Sequence, residues 1–379
     1  MRVLCVTCTY PPYAGGIGNV AARHAGMIAS AGHEVAVATP AFDTDPGASL
    51  HDGITVHRLP ITARHGNSAL VRGMGRLVRM ADVVYLHYPF YGGAEPAARA
   101  CRKSATPYAA FFHMDVHRGG PAGAVLAAHR CTAQRWVLGG ARRVLVSSAD
   151  YARTSSIAGL DLADVVESPY TAPEQFTAGA PDDGALHRMG IDSRRPVLLF
   201  VGAMDADHAF KGVAELLQAF HEARSHPSRP QLVLAGGGGR RDHYMAEARR
   251  LGLGAADAVF PGRVSDEDLV ALYRAAYATV LPSTNSDEAY GVVLAEGMAC
   301  GSPGIASALP GVRTVLRDGS TGLLVPPGDV RALTSAMQRL LDEPALRERM
   351  SQVALRDRAD RLSPAHERAV VLDALGLEG

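Results

Sequence analysis

Two glutamates eight residues apart, Glu288 and Glu296, flank the point where an apolar run gives way to a helix start. The segment reads Leu281-Pro-Ser-Thr-Asn-Ser-Asp-Glu288-Ala-Tyr-Gly291-Val-Val-Leu-Ala-Glu296-Gly-Met-Ala-Cys-Gly301-Ser-Pro303. Tyr277 to Leu281 has the composition of a buried strand, and the loop after it is polar. The N–H groups of Tyr290, Gly291 and Val292 would lie at the tip of the following helix, where backbone donors lack internal partners and attract an anion. An acid inside the helix, Glu296, can receive a diol, and Glu288 stands just before the helix. That layout suits a nucleotide sugar: diphosphate at the helix tip, ribose hydroxyls on one acid, the sugar near the other.

Six further stretches carry candidate chemistry. Pro11-Pro12-Tyr13-Ala14-Gly15-Gly16-Ile17-Gly18 joins the first strand to the first helix. Its glycines let backbone approach a ligand closely, or they simply make a tight turn. It is neither a dinucleotide GxGxxG nor a GxxxxGK phosphate loop. His113 ends the strand-like Tyr108–His113, where it could bond a sugar hydroxyl, orient an acceptor, or serve structure alone; His87 ends Val-Val-Tyr-Leu-His in a similar way. His208-Ala-Phe210-Lys211-Gly212 follows another strand and opens a helix. A lysine there can neutralise a diphosphate, although a positive charge at a helix start is otherwise mildly unfavourable; Asp205 would support this loop. Gly236 to Gly239 leave room for a flat ligand or make a flexible link. Backbone near Val264 could read the edge of a base with Arg263 packed over the ring, or Arg263 is a solvated surface residue.

The elements that must position these loops alternate short apolar runs with helical patterns, which argues for parallel sheets covered by helices. Polarity rises from Tyr170 to Arg195, and the alternation then restarts. The expected fold class is therefore α/β, with two doubly wound domains, residues 1–180 and 190–358, and ligands bound in a cleft beyond their strand ends. The last helical stretch, 360–379, is a candidate to pack back on the first domain.

The chain has 379 residues, enough for two cores. Its 38 basic and 38 acidic side chains give zero formal charge and no support for nucleic-acid binding. Five cysteines at 5, 8, 101, 131 and 300 show neither a CxxC spacing nor an even-numbered framework, which fits a reducing compartment. The start, Met-Arg-Val-Leu-Cys-Val-Thr, reads as a strand rather than a signal segment, and no run approaches the length of a membrane span. A cytoplasmic location follows as an expectation. Arg64, His65, Arg72, Arg76 and Arg79, interleaved with Leu70, Val71, Met74, Leu77, Val78 and Met80, could form a basic amphipathic helix, which either makes peripheral membrane contact or packs its apolar face on its own domain.

Taken together, these loops resemble glycosyltransferase family 4, the retaining transferases of the GT-B fold, over nearly the whole chain. Glu288-x7-Glu296 is the strongest signature. Pro11–Gly18, Gly32-His33, Ser147-Ser148-Ala-Asp-Tyr151, Gly301-Ser-Pro303, Gly311 and Asp318-Gly-Ser-Thr-Gly322-Leu-Leu-Val-Pro-Pro also fit. The resemblance implies that Glu296 holds the donor ribose and Glu288 the 3- and 4-hydroxyls of the transferred sugar. It places Lys211 and the amides near Tyr290, Gly291 and Val292 on the phosphates. Gly15, Gly16 and Gly18 would touch the donor phosphate and sugar, His113 the donor sugar, and Arg263 and Val264 the base. It implies no metal and no other cofactor, and the chain has no Asp-x-Asp motif where a nucleotide metal would be expected. Two departures stand out. Gly202 is followed by Ala203 where most relatives have arginine, so His208 or another basic residue is the candidate substitute, and Val165–Tyr170 lacks the common Pro-Asn-Gly turn.

The function these features imply is retaining transfer of a sugar from UDP-glucose or UDP-N-acetylglucosamine to an alcohol: a natural-product aglycone or pseudosaccharide, a glycolipid or a polysaccharide precursor. The alternatives are a GT-B UDP-sugar epimerase, a GDP-mannose-dependent mannosyltransferase, and a non-enzymatic nucleotide-sugar-binding module, which the intact acidic pair argues against.

Overall fold

The computed structural model describes residues 1–13, 15–117 and 119–378; Ala14, in the first glycine loop, lies outside them. Contacts divide the chain into two units, one of Met1–Pro169 with the chain from Ala365 on, the other of Tyr170–Pro364.

The first unit holds strands β1 (Arg2–Val6), β2 (Glu34–Pro40), β3 (Gly47–His51), β4 (Ile54–Leu59), β5 (Ile61–His65), β6 (Ser68–Val71), β7 (Val83–Tyr88), β8 (Tyr108–Phe112), β9 (Arg143–Val146) and β10 (Val165–Glu167). Eight of them form one sheet in the order β10-β9-β8-β7-β1-β2-β4-β3. Every pair is parallel except β3 with β4. Every residue of β7 and β8 is buried, as helices on both faces require. After β2 to β4 on one side of β1, the chain resumes at β7 on the other. This reversal opens a crevice between the carboxyl ends of β1 and β7, which places the loops after β1, β7 and β8 at a ligand-binding edge.

The second unit carries β11 (Val197–Val201), β12 (Gln231–Ala235), β13 (Ala258–Gly262), β14 (Ala276–Leu281), β15 (Gly304–Ser307) and β16 (Gly322–Val325). They pair in parallel in the order β13-β12-β11-β14-β15-β16. Successive side chains point to opposite faces, so Leu198 and Phe200 join one core with Leu232 and Leu234, while Val197 and Leu199 join the other with Val233 and Ala235. Here the order reverses between β11 and β14. The loops leaving those two strands are therefore neighbours, although about eighty residues separate them in sequence.

The C-terminal helix Pro364–Leu375 buries Val371, Ala374 and Leu375 and sends Glu367, wholly buried, onto Arg23 and His24 of the helix Gly16–Ser30. Arg143 of β9 pairs with Asp373 on the same helix.

The basic amphipathic helix that residues 64–80 could have formed is not present. Arg64 and His65 end β5, Leu70 and Val71 lie in β6, and these strands make an antiparallel hairpin turned by Gly66-Asn67. The β-branched Ile61, Thr62 and Val71 favour strands, and the Gly-Asn turn suits a two-residue hairpin. Gly73, at φ 93°, then starts a helix only five residues long, Met74–Val78. The apolar side chains are split between a hairpin and a single helical turn, and peripheral membrane contact loses the element that could have carried it. Among the described residues, no helix is long and apolar enough to cross a membrane.

Candidate active site

Lys211 and Glu288 meet at the reversal point of the second sheet. The chain leaves β11 through a 3-10 turn, Ala206–Lys211, rather than entering the α-helix directly; the helix begins at Val213 behind a left-handed Gly212. From the β14 loop, Glu288 reaches back so that Lys211 Nζ lies 2.8 Å from its Oε2. Ser283, fully buried, donates to the same oxygen at 3.1 Å. The two loops are stitched together by Thr284, whose N–H and hydroxyl both donate to the Phe210 carbonyl, at 2.7 and 3.2 Å. With their side chains only 16% and 12% exposed, Lys211 and Glu288 form a shielded pair rather than a surface ion pair.

Downstream, the helix Val292–Ala299 opens from Gly291, whose φ is 88°. A Cβ at Gly291 would also lie 2.5 Å from Leu281 Cδ2, so both the backbone angle and the close approach to β14 call for glycine. The Leu294 N–H already bonds the Gly291 carbonyl at 2.9 Å, and the amides before it stand at the helix tip, where the helix itself supplies no i−4 acceptor. Tyr290 packs its ring edge-on against Tyr170 at 5.2 Å, so its side chain holds the loop in place while its backbone leads into the helix tip. Glu296 lies in the second turn and accepts a 2.7 Å hydrogen bond from Tyr273 of the helix Asp266–Ala275.

The remaining candidates of this unit have mixed settings. His208 is bonded through Nδ1 to Asp205 at 2.6 Å. Arg263 is exposed and lies along the glycine loop, since a Cβ at Gly237 would stand 3.1 Å from its Cγ. Val264 packs its side chain into the core, leaving only its backbone for recognition. Ser283 and Tyr273 gave no signal in the sequence, because a serine in a polar loop and a tyrosine on an amphipathic helix are both ordinary.

In the first unit, Gly15 is the extended residue before the helix Gly16–Ser30. Gly16 has open space where a Cβ would stand, whereas a Cβ at Gly18 would sit 2.9 Å from the Thr9 backbone. Gly18 thus has a packing reason of its own: the helix runs hard against the β1 exit. His113, just past β8, is buried, and its Nε2 lies 2.9 Å from His87 Nδ1. His24 joins them from the covering helix, 5.6 Å from His87 between ring centroids; Tyr85 bonds its Nδ1 and Glu367 its Nε2.

Burial pushes His87 and His113 well below the ordinary histidine value of 6.5, and neighbouring imidazoles push the same way. His24 is also lowered, mainly by burial, with Glu367 opposing. A depressed histidine is neutral in the fold and takes up its proton on unfolding. The stability this contributes is present above the unfolded value and is lost as pH falls below it. For His87 and His113 the loss is about 1.4 kcal/mol per pH unit each. Melting temperature is therefore expected to fall steeply between about pH 6.5 and 5, and His87→Leu to remove about half of that two-histidine slope. A flat profile over that window would contradict the neutral cluster.

Among the described residues, no group of three or more His, Cys, Asp or Glu is arranged to hold a metal ion.

Two Rossmann-like α/β units, each with its candidate loops at strand carboxyl ends, match the architecture of the GT-B class. Comparison with known proteins agrees. Residues 15–170 match the glycosyl transferase 4-like domain, and residues 187–357 match glycosyl transferases group 1. The chain is 30% identical over 370 residues to the D-rhamnosyltransferase WbpZ of Pseudomonas aeruginosa, covering 93% of this chain and 90% of that one. It is 32% identical over 239 residues to the D-inositol 3-phosphate glycosyltransferase of Thermomonospora curvata, a match spanning 60% of this chain and about half, 55%, of the relative. Anabaena HepE in complex with UDP and glucose superposes with a TM-score of 0.77 over 99% of both chains at 17% identity, which speaks to the fold alone. The protein belongs to the family 4, group 1 glycosyltransferases: it is an enzyme that transfers a sugar from a nucleoside-diphosphate sugar to an acceptor.

Proposed function

We propose that the protein is a retaining glycosyltransferase that uses a UDP-linked hexose, UDP-glucose or UDP-N-acetylglucosamine, and glycosylates an alcohol. The observation that carries this reading is the shielded Lys211–Glu288 pair beside the Val292–Ala299 helix tip. A cation and a row of amides there suit a diphosphate, and the carboxylate beside them suits the hydroxyls of the attached sugar. In this reading Lys211 and the amides of Tyr290, Gly291 and Val292 stabilise charge on the departing diphosphate. His208, oriented by Asp205, stands in for the arginine absent at Ala203. Glu296 takes the ribose diol, with Tyr273 fixing one of its oxygens. Arg263 and the backbone at Val264 meet the base, and His113 with Gly15, Gly16 and Gly18 meets the sugar and its phosphate.

No carboxylate is assigned as a nucleophile. The acceptor attacks from the face the leaving group departs, the leaving phosphate takes the acceptor proton, and the anomeric configuration is kept. The D-rhamnosyl and D-inositol 3-phosphate relatives keep other sugars and polyol acceptors in view, from saccharide precursors to glycolipids.

Thermal shift with UDP, GDP, ADP and dTDP, without added metal, tests the donor. A nucleotide at a hundred times its dissociation constant adds about 2.7 kcal/mol to the state that binds it. UDP is expected to give the largest rise in melting temperature. A rise with GDP alone would replace the donor with a GDP-sugar such as GDP-mannose, and no rise with any nucleotide would overturn the donor site.

A further inference from the structure

His87 and His113 lie side by side because two neighbouring parallel strands put them there. The register sets His87 opposite Phe111, and the His113 N–H donates to the Tyr88 carbonyl at 2.8 Å. Tyr85 and His87 on β7 share a face, as do Phe111 and His113, and His24 closes over them from the helix above. With 2.9 Å between His87 Nδ1 and His113 Nε2, one ring must donate and the other accept.

Only two arrangements of a neutral pair satisfy that contact. If His113 donates from Nε2, the His87 proton must sit on its own Nε2. That atom is buried and has no hydrogen-bond partner among the described residues. A buried N–H without an acceptor is among the rarest features of a folded protein. If instead His87 donates from Nδ1, its Nε2 keeps only an unused lone pair, which is the cheaper vacancy.

We propose that His87 is a positioning residue for His113: it donates from Nδ1 to His113 Nε2 and so fixes the single His113 proton on Nδ1. Building on the assignment of His113 to the donor sugar, this decides the sense of that contact. His113 meets a sugar hydroxyl as a hydrogen-bond donor through Nδ1, its other nitrogen being held as an acceptor by His87. A ring that could flip or change tautomer would present this edge only part of the time.

The test is a long-range proton–nitrogen correlation spectrum of the full-length protein labelled in its 15 histidines. Signals are assigned by their loss in His87→Asn and His113→Gln. The expected result near neutral pH is a protonated Nδ1 on both His87 and His113, with both Nε2 atoms bare. A proton on His113 Nε2 would overturn the proposal and leave the donor-site reading untouched. Kinetics give a second readout. The amide nitrogen of His87→Asn can occupy the place of Nδ1, so this variant should keep most of the turnover. His87→Leu should lose roughly tenfold in kcat/KM while UDP alone still binds normally. Equal activity of both variants and the parent would also overturn the positioning role. Full turnover by His113→Ala would instead defeat the assignment of His113 to the sugar, whatever tautomer is seen.

Discussion

Lys211→Ala is expected to lower kcat/KM by two orders of magnitude or more, about 3 kcal/mol of transition-state stabilisation. The size of the effect follows from where the lysine stands. Its ammonium lies 2.8 Å from Glu288 in a setting that is largely shielded from water. Charge interactions there are stronger than at a surface, and negative charge on the diphosphate grows as the sugar bond breaks. Removing the lysine has two consequences: the departing diphosphate loses its cation, and Glu288 keeps its carboxylate beside it with Ser283 as its remaining side-chain partner among the described residues. Glu288→Gln, which preserves shape but removes charge, should be similarly damaging. Because the two side chains act as one unit, the double variant should be only slightly worse than either single one. Steady-state rates with a fixed UDP-sugar and acceptor measure all three. Near-parental turnover in both single variants would sink the site.

Arg23→Met is expected to destabilise the first unit by about 3 kcal/mol, seen as a drop of roughly 5 to 10 °C in melting temperature. Glu367 is wholly buried, paired with Arg23 and bonded to His24 at 3.0 Å. Removing its paired cation leaves a buried carboxylate with its His24 bond but without the Arg23 charge that offsets its burial, which costs far more than losing a surface pair. Adding Glu367→Leu to Arg23→Met should recover much of the loss, since an apolar side chain needs no partner there. If the single substitution proves neutral, the Arg23–Glu367 pair does not hold the C-terminal helix, which is then held by buried Val371, Ala374 and Leu375 and by the Arg143–Asp373 pair.

The sequence was most informative where chemistry and local structure coincide. Parallel α/β architecture could be read because buried strands carry continuous apolar runs, as at residues 83–86 and 197–200, separated by helical periodicity. The junction of Glu288, Gly291 and Glu296 was legible because a polar loop ran from a strand into a helix start. Resemblance to family 4 transferases rested on this junction, and the family assignment bears it out. The segment from 64 to 80 admits a helical reading because apolar residues at mixed spacings satisfy both periods. There the turn at Gly66-Asn67, the left-handed Gly73 and the hydrogen bond from Ala69 to Tyr91 favoured a hairpin.

What the sequence determined by itself was the set of chemical groups and the class of scaffold that carries them. Residue type and spacing along the chain are local properties, and strand, loop and helix tip follow from them. What only the tertiary structure decided was which groups meet. Lys211 finds Glu288 because the strand order reverses between β11 and β14, bringing together loops from distant parts of the chain. His87 finds His113 because β7 and β8 pair in one register, and Glu367 reaches Arg23 because the last helix returns to the first unit. Each of these contacts is long-range, so its partner is fixed by topology and packing, and no spacing within a single stretch of sequence records it.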